Sequence, residues 1–229
     1  MLRSKIDQIR QAIEKICRKK GRNPVDIRLV AVTKYAALNQ IRAAIDAGLT
    51  DIGESRIQDA QKKFAELEAE GRRFTRHMIG HLQTNKVKQA VSLFDLIQSV
   101  DSLRLIREID RRAKEVGREV PILIEVNTSK EDQKFGVQPE GVFALIDEIR
   151  NQKNIIFQGL MTVAVFSDRQ EDVRACFRQL AALGQQIRQR YTGESRIDMR
   201  YLSMGMTHDY ELALEEGANM LRIGSAIFA

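Results

Sequence analysis

Residues 28–54 read RLVAVTKYAALNQIRAAIDAGLTDIGE and contain a strand, a helix and the start of a second strand. The run at 29–33 is short, apolar and rich in β-branched residues, which is typical of a buried parallel strand. Apolar residues within 41–45 then share one face of a helix, which Gly48 ends. A second short strand follows at 51–53. This stretch therefore predicts a β-α-β unit.

The alternation of strand and helix continues through the rest of the chain. Further strand candidates lie at residues 77–80, 96–99, 122–127, 159–163, 201–203 and 220–223. Helical stretches separate them near residues 55–69, 84–91, 102–116, 139–150, 170–190 and 209–216. Eight strands with helices between them predict an α/β fold, a (β/α)8 TIM-type barrel, whereas six or seven would favour an open doubly wound sheet. Because no linker or repeat divides the chain, we expect a single domain over 1–229.

An extra helix is predicted at the N-terminus, over residues 1–20. Its isoleucines recur at three- and four-residue spacing, from Ile6 to Ile16, and form one apolar face. Only residues 225–229 follow the last strand, so we expect the eighth barrel helix to be missing or shortened. The N-terminal helix then has a place in the outer ring, where its apolar face covers the gap.

Composition and charge limit the class of protein. The net charge of +6 favours anionic partners. Aromatic residues make up 6% of the chain and do not alternate with a basic patch, so we expect no nucleic-acid partner. The basic cluster between Lys15 and Arg22 is interpreted as a solvated helix end.

The compartment is predicted from what the sequence lacks. No apolar stretch approaches the roughly 20 residues that span a bilayer, and the N-terminus has no continuous apolar segment of a secretory signal. Cys17 and Cys176 are far apart and form no CxxC pair, which fits a reducing compartment and excludes a zinc ribbon. We therefore expect a cytoplasmic protein without membrane attachment.

Lys34 is the first candidate for chemistry, because barrel enzymes place their sites where strands end at the carboxyl face. It shares strand parity with Val30 and Val32, so its side chain is predicted to point into the barrel mouth. A partly desolvated lysine there can attack a carbonyl and form a Schiff base. The alternative is a strand-ending lysine whose amine reaches water.

Two loops that follow the seventh and eighth strands are candidates for a phosphate site. They read Ser203-Met204-Gly205-Met206-Thr207 and Gly224-Ser225, at the positions where barrels commonly bind phosphate. Glycines allow backbone N–H groups to approach an anion, hydroxyls add donors, and the second loop would open a short helix. The alternative is that these are ordinary turn glycines and helix-capping serines.

Arg222 is the third candidate. It shares parity with Met220 and Gly224, so its guanidinium is predicted to be buried and to need an acceptor. Glu125 on the fifth strand is one candidate acceptor, and the nitrogen of a bound pyridine ring is another. An amine, a phosphate site and a ring-nitrogen partner around one barrel mouth together predict a site for pyridoxal 5′-phosphate (PLP).

The three histidines do not predict a metal site. His77, His81 and His208 have no carboxylate cluster beside them, so we interpret them as hydrogen-bonding residues of the pocket. Nucleotide-binding glycine motifs and the G-x-S-x-G motif are also absent from the sequence.

The sequence resembles a known family, the pyridoxal phosphate homeostasis proteins, over nearly its whole length. The matching segments, in chain order, are 30–34 (VAVTK), 53–59 (GESRIQD), 77–86 (HMIGHLQTNK), 126–128 with 134–136 (VNT and KFG), 159–162 (GLMT), 202–207 (LSMGMT) and 221–228 (LRIGSAIF). Two positions depart from the family pattern. Ser55 stands where relatives usually have asparagine, and the chain ends at Ala229 where they usually continue with a glycine and a short tail.

The resemblance implies a PLP-binding barrel similar to the N-terminal domain of alanine racemase. It implies a Schiff base on Lys34, Arg222 opposite the pyridine nitrogen, and further cofactor contacts from Ser55 and Met161. The implied phosphate contacts are Ser203, Met204, Gly205, Gly224 and Ser225.

Two functions remain open, a carrier and a catalyst. Arginine does not give up its proton, which leaves the pyridine nitrogen unprotonated and weakens the ring as an electron sink. Racemases of this class take a tyrosine from a second domain, for which we expect no residues here, and the parity of Tyr35 points it away. We expect a non-catalytic, monomeric protein with no catalytic residues and no metal, which stores, buffers or delivers PLP to apo-enzymes. The alternative is a PLP-dependent amino-acid racemase of the alanine racemase type.

Overall fold

The computed structural model describes residues 1–129, 131 and 133–229. The strands, numbered in chain order, are β1 (Arg28–Val32), β2 (Asp51–Glu54), β3 (Thr75–Met78), β4 (Leu96–Val100), β5 (Val120–Glu125), β6 (Ile155–Met161), β7 (Ile197–Ser203) and β8 (Met220–Ile223). All eight are parallel and form a closed barrel in sequence order, with β1 paired to β8. The predicted (β/α)8 barrel is confirmed.

The helices surround the strands. They are α1 (Leu2–Lys19), α2 (Leu38–Asp46), α3 (Ile57–Ala69), α4 (Val87–Leu93), α5 (Leu103–Glu115), α6 (Val142–Arg150), α7 (Gln170–Arg190), α8 (Tyr210–Glu215) and α9 (Ser225–Phe228). Short 3₁₀ turns lie at Pro24–Asp26, Thr84–Lys86 and Pro139–Gly141. No helix in the described part of the chain is long and apolar enough to cross a membrane.

The N-terminal helix α1 lies against α2, α8 and α9. Helix α9 follows β8, so it is the eighth barrel helix, and it has four residues. The four isoleucines of α1 from Ile6 to Ile16 are buried there. Cations of this segment also bind the ends of neighbouring helices. Arg10 donates to the carbonyl oxygens of residues 47 and 48, and Arg22 donates to those of residues 214 and 218. Arg22 is therefore a helix cap, not part of a solvated basic cluster.

The core has two parts, which strand alternation separates. The larger part fills the layer between strands and helices. The smaller part lies inside the barrel and consists of Val30, Leu96, Leu123, Met161, Tyr201 and Met220. Polar side chains fill the rest of the barrel interior, which is therefore a packed core that includes polar groups. The carboxyl ends of the strands form the barrel mouth.

Candidate functional site at the carboxyl mouth of the barrel

The side chain of Lys34 is exposed at the rim of the mouth. A turn begins directly after β1, closed by the N–H of Ala36, which donates to the carbonyl oxygen of Thr33 at 3.0 Å. Strand parity ends at this turn, so the prediction that Lys34 points inward and is partly desolvated is wrong for this structure. Its Nζ atom lies 5.1 Å from the ring centroid of Tyr35, which is itself 91% exposed.

The backbone beside Lys34 is nevertheless firmly held. The Thr33 hydroxyl donates to Glu54 Oε1 at 2.7 Å. Lys63 of α3 donates to the same carboxylate oxygen at 2.7 Å and to the carbonyl oxygen of Thr33 at 2.6 Å. Glu54 is fully buried, so these are charge-assisted bonds in a place that water does not reach. The end of β1 is fixed, whereas the side chain of Lys34 that follows it is exposed.

The loops after β7 and β8 meet at the mouth. The Ser225 hydroxyl donates to Thr207 Oγ1 at 3.0 Å, and the N–H of Ala226 donates to the same oxygen at 3.2 Å. Gly205 has φ +94°, and a Cβ atom there would lie 2.6 Å from the Cβ atom of Ala213. A Cβ atom on Gly224 would lie 3.3 Å from the carbonyl oxygen of Val32. Both glycines therefore allow a close backbone approach that a larger residue would disturb.

Ser203 and Met204, the first two residues of the predicted phosphate loop, are fully buried. The hydroxyl of Ser203 donates to Gln98 Oε1 at 2.6 Å, inside the barrel. The N–H of Met204 donates to the carbonyl oxygen of Met220 at 3.1 Å. Their roles at a phosphate stay predictions, and the structure gives both of these donors partners within the protein.

Arg222 lies inside the barrel, as its strand parity predicts. Its Nη1 atom donates to the carbonyl oxygen and to Oγ of Ser203, both at 2.8 Å, and Nη2 donates to the carbonyl oxygen of Thr162 at 2.8 Å. Glu125 is not its hydrogen-bonding partner, so that interpretation is wrong. Burial lowers the pKa of Arg222 to about 10, while the charges of Glu125 and Asp209 act to raise it.

The donor set of Arg222 fits a ligand with an acceptor nitrogen. A guanidinium has five N–H donors, and the described residues accept only three hydrogen bonds from this one. The remaining donors can therefore bind a ligand that enters from the mouth. Because the guanidinium keeps its proton at neutral pH, it can donate to a pyridine nitrogen and does not protonate it.

Glu125 is a second buried charge near the mouth. Burial raises the pKa of its carboxyl to about 7, the Arg222 charge acts to lower it, and Asp101 acts to raise it. The carboxyl is 8% exposed and follows Leu123 on the interior side of β5. Near neutral pH this group is therefore only partly ionised.

The loop after β5 covers part of the rim. Phe135 stacks on His81, with ring centroids 3.9 Å apart and an interplanar angle of 11°. Lys134 donates to the carbonyl oxygen of Ala164 at 2.9 Å, which ties this loop to the one after β6. Gly136 has φ +107°, and a Cβ atom there would lie 2.7 Å from the backbone nitrogen of Asn127. The matching KFG motif therefore builds a tight loop.

Ser55 and Met161 are the remaining predicted cofactor contacts. Ser55 is half-buried directly after β2, where its backbone packs against Gly80. A Cβ atom on Gly80 would lie 2.5 Å from the Ser55 carbonyl oxygen, so only glycine fits. Met161 is buried in the interior cluster at the end of β6. Contact of either residue with a cofactor stays a prediction.

Sequence reasoning missed a set of polar residues deep in the barrel. His77 Nε2 lies 2.9 Å from Asp51 Oδ1, and His77 Nδ1 lies 2.9 Å from Gln98 Nε2. The sequence signal that could have revealed them is a polar residue within an otherwise apolar strand, such as Gln98 in LIQSV of β4. Of the other histidines, His208 is exposed and His81 lies at the rim. Within the described ranges, no three potential metal ligands cluster together.

Comparisons with known proteins agree with this architecture. A sequence model of the alanine racemase N-terminal domain matches residues 5–229. A relative from Aquifex aeolicus, called a pyridoxal phosphate homeostasis protein, is 36% identical over 224 residues, which are 98% of this chain and 96% of that protein.

Two solved structures are similar over nearly the whole chain. An unknown protein from Bifidobacterium adolescentis has a TM-score of 0.91 and 34% identity, covering 99% of this chain and 94% of that one. PipY from Synechococcus elongatus, solved with PLP bound, has a TM-score of 0.82 and 32% identity, covering 95% and 100%. The chain therefore belongs to the pyridoxal phosphate homeostasis protein family, whose barrel is that of the alanine racemase N-terminal domain.

Proposed function

We propose that this protein binds PLP at the carboxyl mouth of its barrel and stores, buffers or delivers it, without turning over a substrate. The observation that carries the proposal is Arg222. It is a buried cation whose donors are not all used by the described residues, and it lies one strand away from the end of β1 that bears Lys34. Such a group can donate to an acceptor that enters from the mouth.

Each end of the cofactor has a partner in this proposal. Lys34 would hold the aldehyde carbon as a Schiff base, with loss of one water molecule, and Arg222 would donate to the ring nitrogen. The phosphate binds between the joined loops after β7 and β8, at Gly205, Gly224 and Ser225. Ser203 and Met204 lie directly before Gly205 and support this loop, since their own donors already have partners in the protein. Ser55 and Met161 contact the ring region. The exposed amine of Lys34 must turn from Tyr35 towards the mouth for this bond to form.

A carrier fits the chemistry of the site better than a racemase. PLP supplies a reactive aldehyde and, when its ring nitrogen is protonated, an electron sink for carbanion chemistry. Arg222 keeps its own proton at neutral pH, so it does not supply one to that nitrogen. Racemisation also needs acid–base groups on both faces of the reacting carbon. Tyr35 lies beside Lys34 and faces solvent, so the two cannot serve opposite faces in this arrangement.

The relatives support the cofactor and the wider setting. PipY binds PLP in a barrel with the same course as this one, and the Aquifex aeolicus relative is called a homeostasis protein. In this proposal residues 1–229 act as one cytoplasmic domain, monomeric and with no nucleic-acid partner, and apo PLP-dependent enzymes receive the cofactor. Two free, buried cysteines fit a reducing compartment.

The test of the cofactor is an absorption spectrum followed by borohydride reduction and peptide mass analysis. We expect a visible Schiff-base band in the protein with PLP and a pyridoxyl mass on Lys34. Lys34→Ala should lose the band and keep weaker, phosphate-mediated binding. Lys153→Ala, an exposed lysine just before β6 at the opposite end of the barrel, is the matched control and should keep the band. A pyridoxyl mass on another lysine, or none at all, contradicts the proposal.

The choice between carrier and racemase needs a separate experiment. The PLP-loaded protein is incubated with L- and D-amino acids in deuterated water, and deuterium at the α-carbon is measured by mass spectrometry. With a carrier, the amino acid would replace Lys34 in the Schiff base but would take up no deuterium at its α-carbon. Turnover-dependent uptake with loss of stereochemistry would establish the racemase instead.

A further inference from the structure

A continuous chain of hydrogen bonds runs through the barrel interior. We call it the interior polar chain; its members are Arg28, Asp51, His77, Gln98, Ser203 and Arg222. Arg28 Nη1 donates to Asp51 Oδ1 at 3.0 Å, at the amino end of the barrel. The chain ends at Arg222, near the mouth. Because β4 and β7 are not neighbours, the bond from Ser203 to Gln98 crosses the interior.

From Arg222 to Asp51 the hydrogen bonds of the chain have one consistent direction, and Arg28 donates to Asp51 from the other end. Asp51 Oδ1 accepts from Arg28 and lies 2.9 Å from His77 Nε2, so that nitrogen carries the proton. The unprotonated His77 Nδ1 then accepts from the Gln98 amide at 2.9 Å. This orientation turns the Gln98 carbonyl oxygen towards Ser203.

The same direction of hydrogen bonding holds between Gln98, Ser203 and Arg222. Its hydroxyl has one proton, which it donates to Gln98 Oε1 at 2.6 Å. Its lone pairs therefore face Arg222, whose Nη1 donates to them at 2.8 Å. If Gln98 could not accept, the hydroxyl would be free to rotate and Arg222 would lose an oriented acceptor. Asp51, His77, Gln98 and Ser203 are all buried, so water does not replace these partners.

We infer that His77 and Gln98 are positioning residues that act through Ser203 to hold the Arg222 guanidinium in the orientation that receives the ring nitrogen. Their side chains bond to Asp51, Met220 and Ser203 in the barrel interior, so they would act on the cofactor indirectly. The inference rests on the proposed function, since Arg222 is the group that it assigns to the ring. It adds that the ring position is set from the far end of the barrel.

The test is a double-mutant cycle on the dissociation constant of PLP, measured by equilibrium dialysis. Gln98→Met has similar volume and removes the hydrogen bonds of Gln98 with His77, Met220 and Ser203. It should weaken PLP binding about tenfold and shift the visible absorption maximum. In an Arg222→Met background the same change should weaken binding less than about twofold, because the group through which it acts is gone. Leu96→Met, on the same strand and the same interior side, is the control for repacking and should leave binding unchanged.

Three outcomes overturn the inference. Gln98→Met could leave PLP binding unchanged, or weaken it equally in both backgrounds, which is what a merely structural role gives. Leu96→Met could weaken binding as much as Gln98→Met does. If the unmodified protein binds no PLP, the proposed function itself fails, which the cycle distinguishes because its starting point is then missing.

A measurement without PLP keeps the inference testable if Gln98→Met does not fold. Nitrogen-15 NMR of His77 reports which ring nitrogen carries the proton. We expect the proton on Nε2 in the unmodified protein and changed His77 resonances in Arg222→Met, although these two residues do not touch. Unchanged His77 resonances, or a proton on Nδ1, would contradict the coupling.

Discussion

The two groups that would grip opposite ends of the cofactor have opposite environments. Arg222 is buried, with three hydrogen bonds to Ser203 and Thr162. Lys34 is exposed, and its amine contacts only the ring of Tyr35, at 5.1 Å, among the interactions of the described residues. The side of the site made by Arg222, Glu125 and the loop after β7, which we call the built side, is therefore held by the barrel itself. The amine side, Lys34, is not.

This difference is informative about reversible binding. A rigid, pre-formed partner lowers the entropic cost of holding the ring. In the proposed complex the amine of Lys34 would leave water on forming the Schiff base, so the covalent bond would be the adjustable part. The arrangement suits a protein that has to hold PLP and let it go. Two properties can be tested by substitution: the rigidity of the built side and the freedom of the amine side.

The largest expected effect is at Gly205, on the built side. Gly205→Ala places a Cβ atom 2.6 Å from that of Ala213 on a backbone with φ +94°. We expect the free energy of unfolding to fall by about 3 kcal/mol, from left-handed backbone strain and overpacking together. Urea denaturation measures this change.

The matched control is Gly193→Ala. Gly193 has a similar φ of +85° but nothing within 4 Å of a Cβ atom. It should lose only about 1 kcal/mol, the cost of the backbone conformation. Equal losses for the two variants would mean that the loop after β7 moves aside easily, and the built side would not be rigid.

The next effect concerns pH and Glu125, also on the built side. Burial raises the pKa of this carboxyl to about 7, from an ordinary value of 4.5. Between these values the folded protein keeps a proton that the unfolded chain has released, so stability falls as pH rises from about 4.5 to 7. The loss through this group is about 3 kcal/mol and is complete about one unit above pH 7.

Replacing the carboxyl tests this assignment. Glu125→Gln should remove that part of the pH dependence and be more stable than the unmodified protein at pH 8. Glu140→Gln, which changes an exposed carboxyl, should keep the unmodified profile. Urea denaturation at several pH values measures both. A Glu125→Gln profile that still falls between pH 5 and 7 would assign the titration to another group.

Much of the fold could be predicted because alternation and period are local properties. All eight strands and the order of the helices follow from short windows of sequence. The boundary of β6 was wrong: we predict a start at 159, but it begins at Ile155. Gly159 reads as the start of a strand, yet it lies at a register shift inside one, with φ +146°.

The site could be predicted only in part, for a related reason. Parity holds for Arg222, which lies within β8, and fails for Lys34, which lies in the turn after β1. The sequence suggests Glu125 as the acceptor for Arg222 because a carboxylate acceptor can be recognised from the residue type alone. The actual acceptors are two backbone carbonyls and Ser203, and only the folded barrel brings them together.

A smaller effect is expected at Ser203, which joins Arg222 to the barrel interior. Ser203→Ala removes a donor to Gln98 and an acceptor from Arg222, in a buried position. We expect a loss of about 1–2 kcal/mol in the free energy of unfolding, because both partners are left with an unused hydrogen-bonding group. Ser92→Ala, an exposed serine, is the control and should stay within about 0.5 kcal/mol. No loss for Ser203→Ala would mean that Arg222 has other acceptors and is not fixed by this contact.

The smallest expected effect on stability is at Lys34, and it completes the comparison. Lys34→Met removes an exposed charge whose one contact among residues 1–129, 131 and 133–229 is with the exposed ring of Tyr35. The free energy of unfolding should therefore change by less than about 0.5 kcal/mol, measured by urea denaturation without PLP. With PLP present, the unmodified protein should gain stability as ligand is added, and Lys34→Met should gain less, because it keeps only the built side of the site. A loss above about 1 kcal/mol without PLP would show that the amine is already held by the protein, and the contrast with Arg222 would disappear.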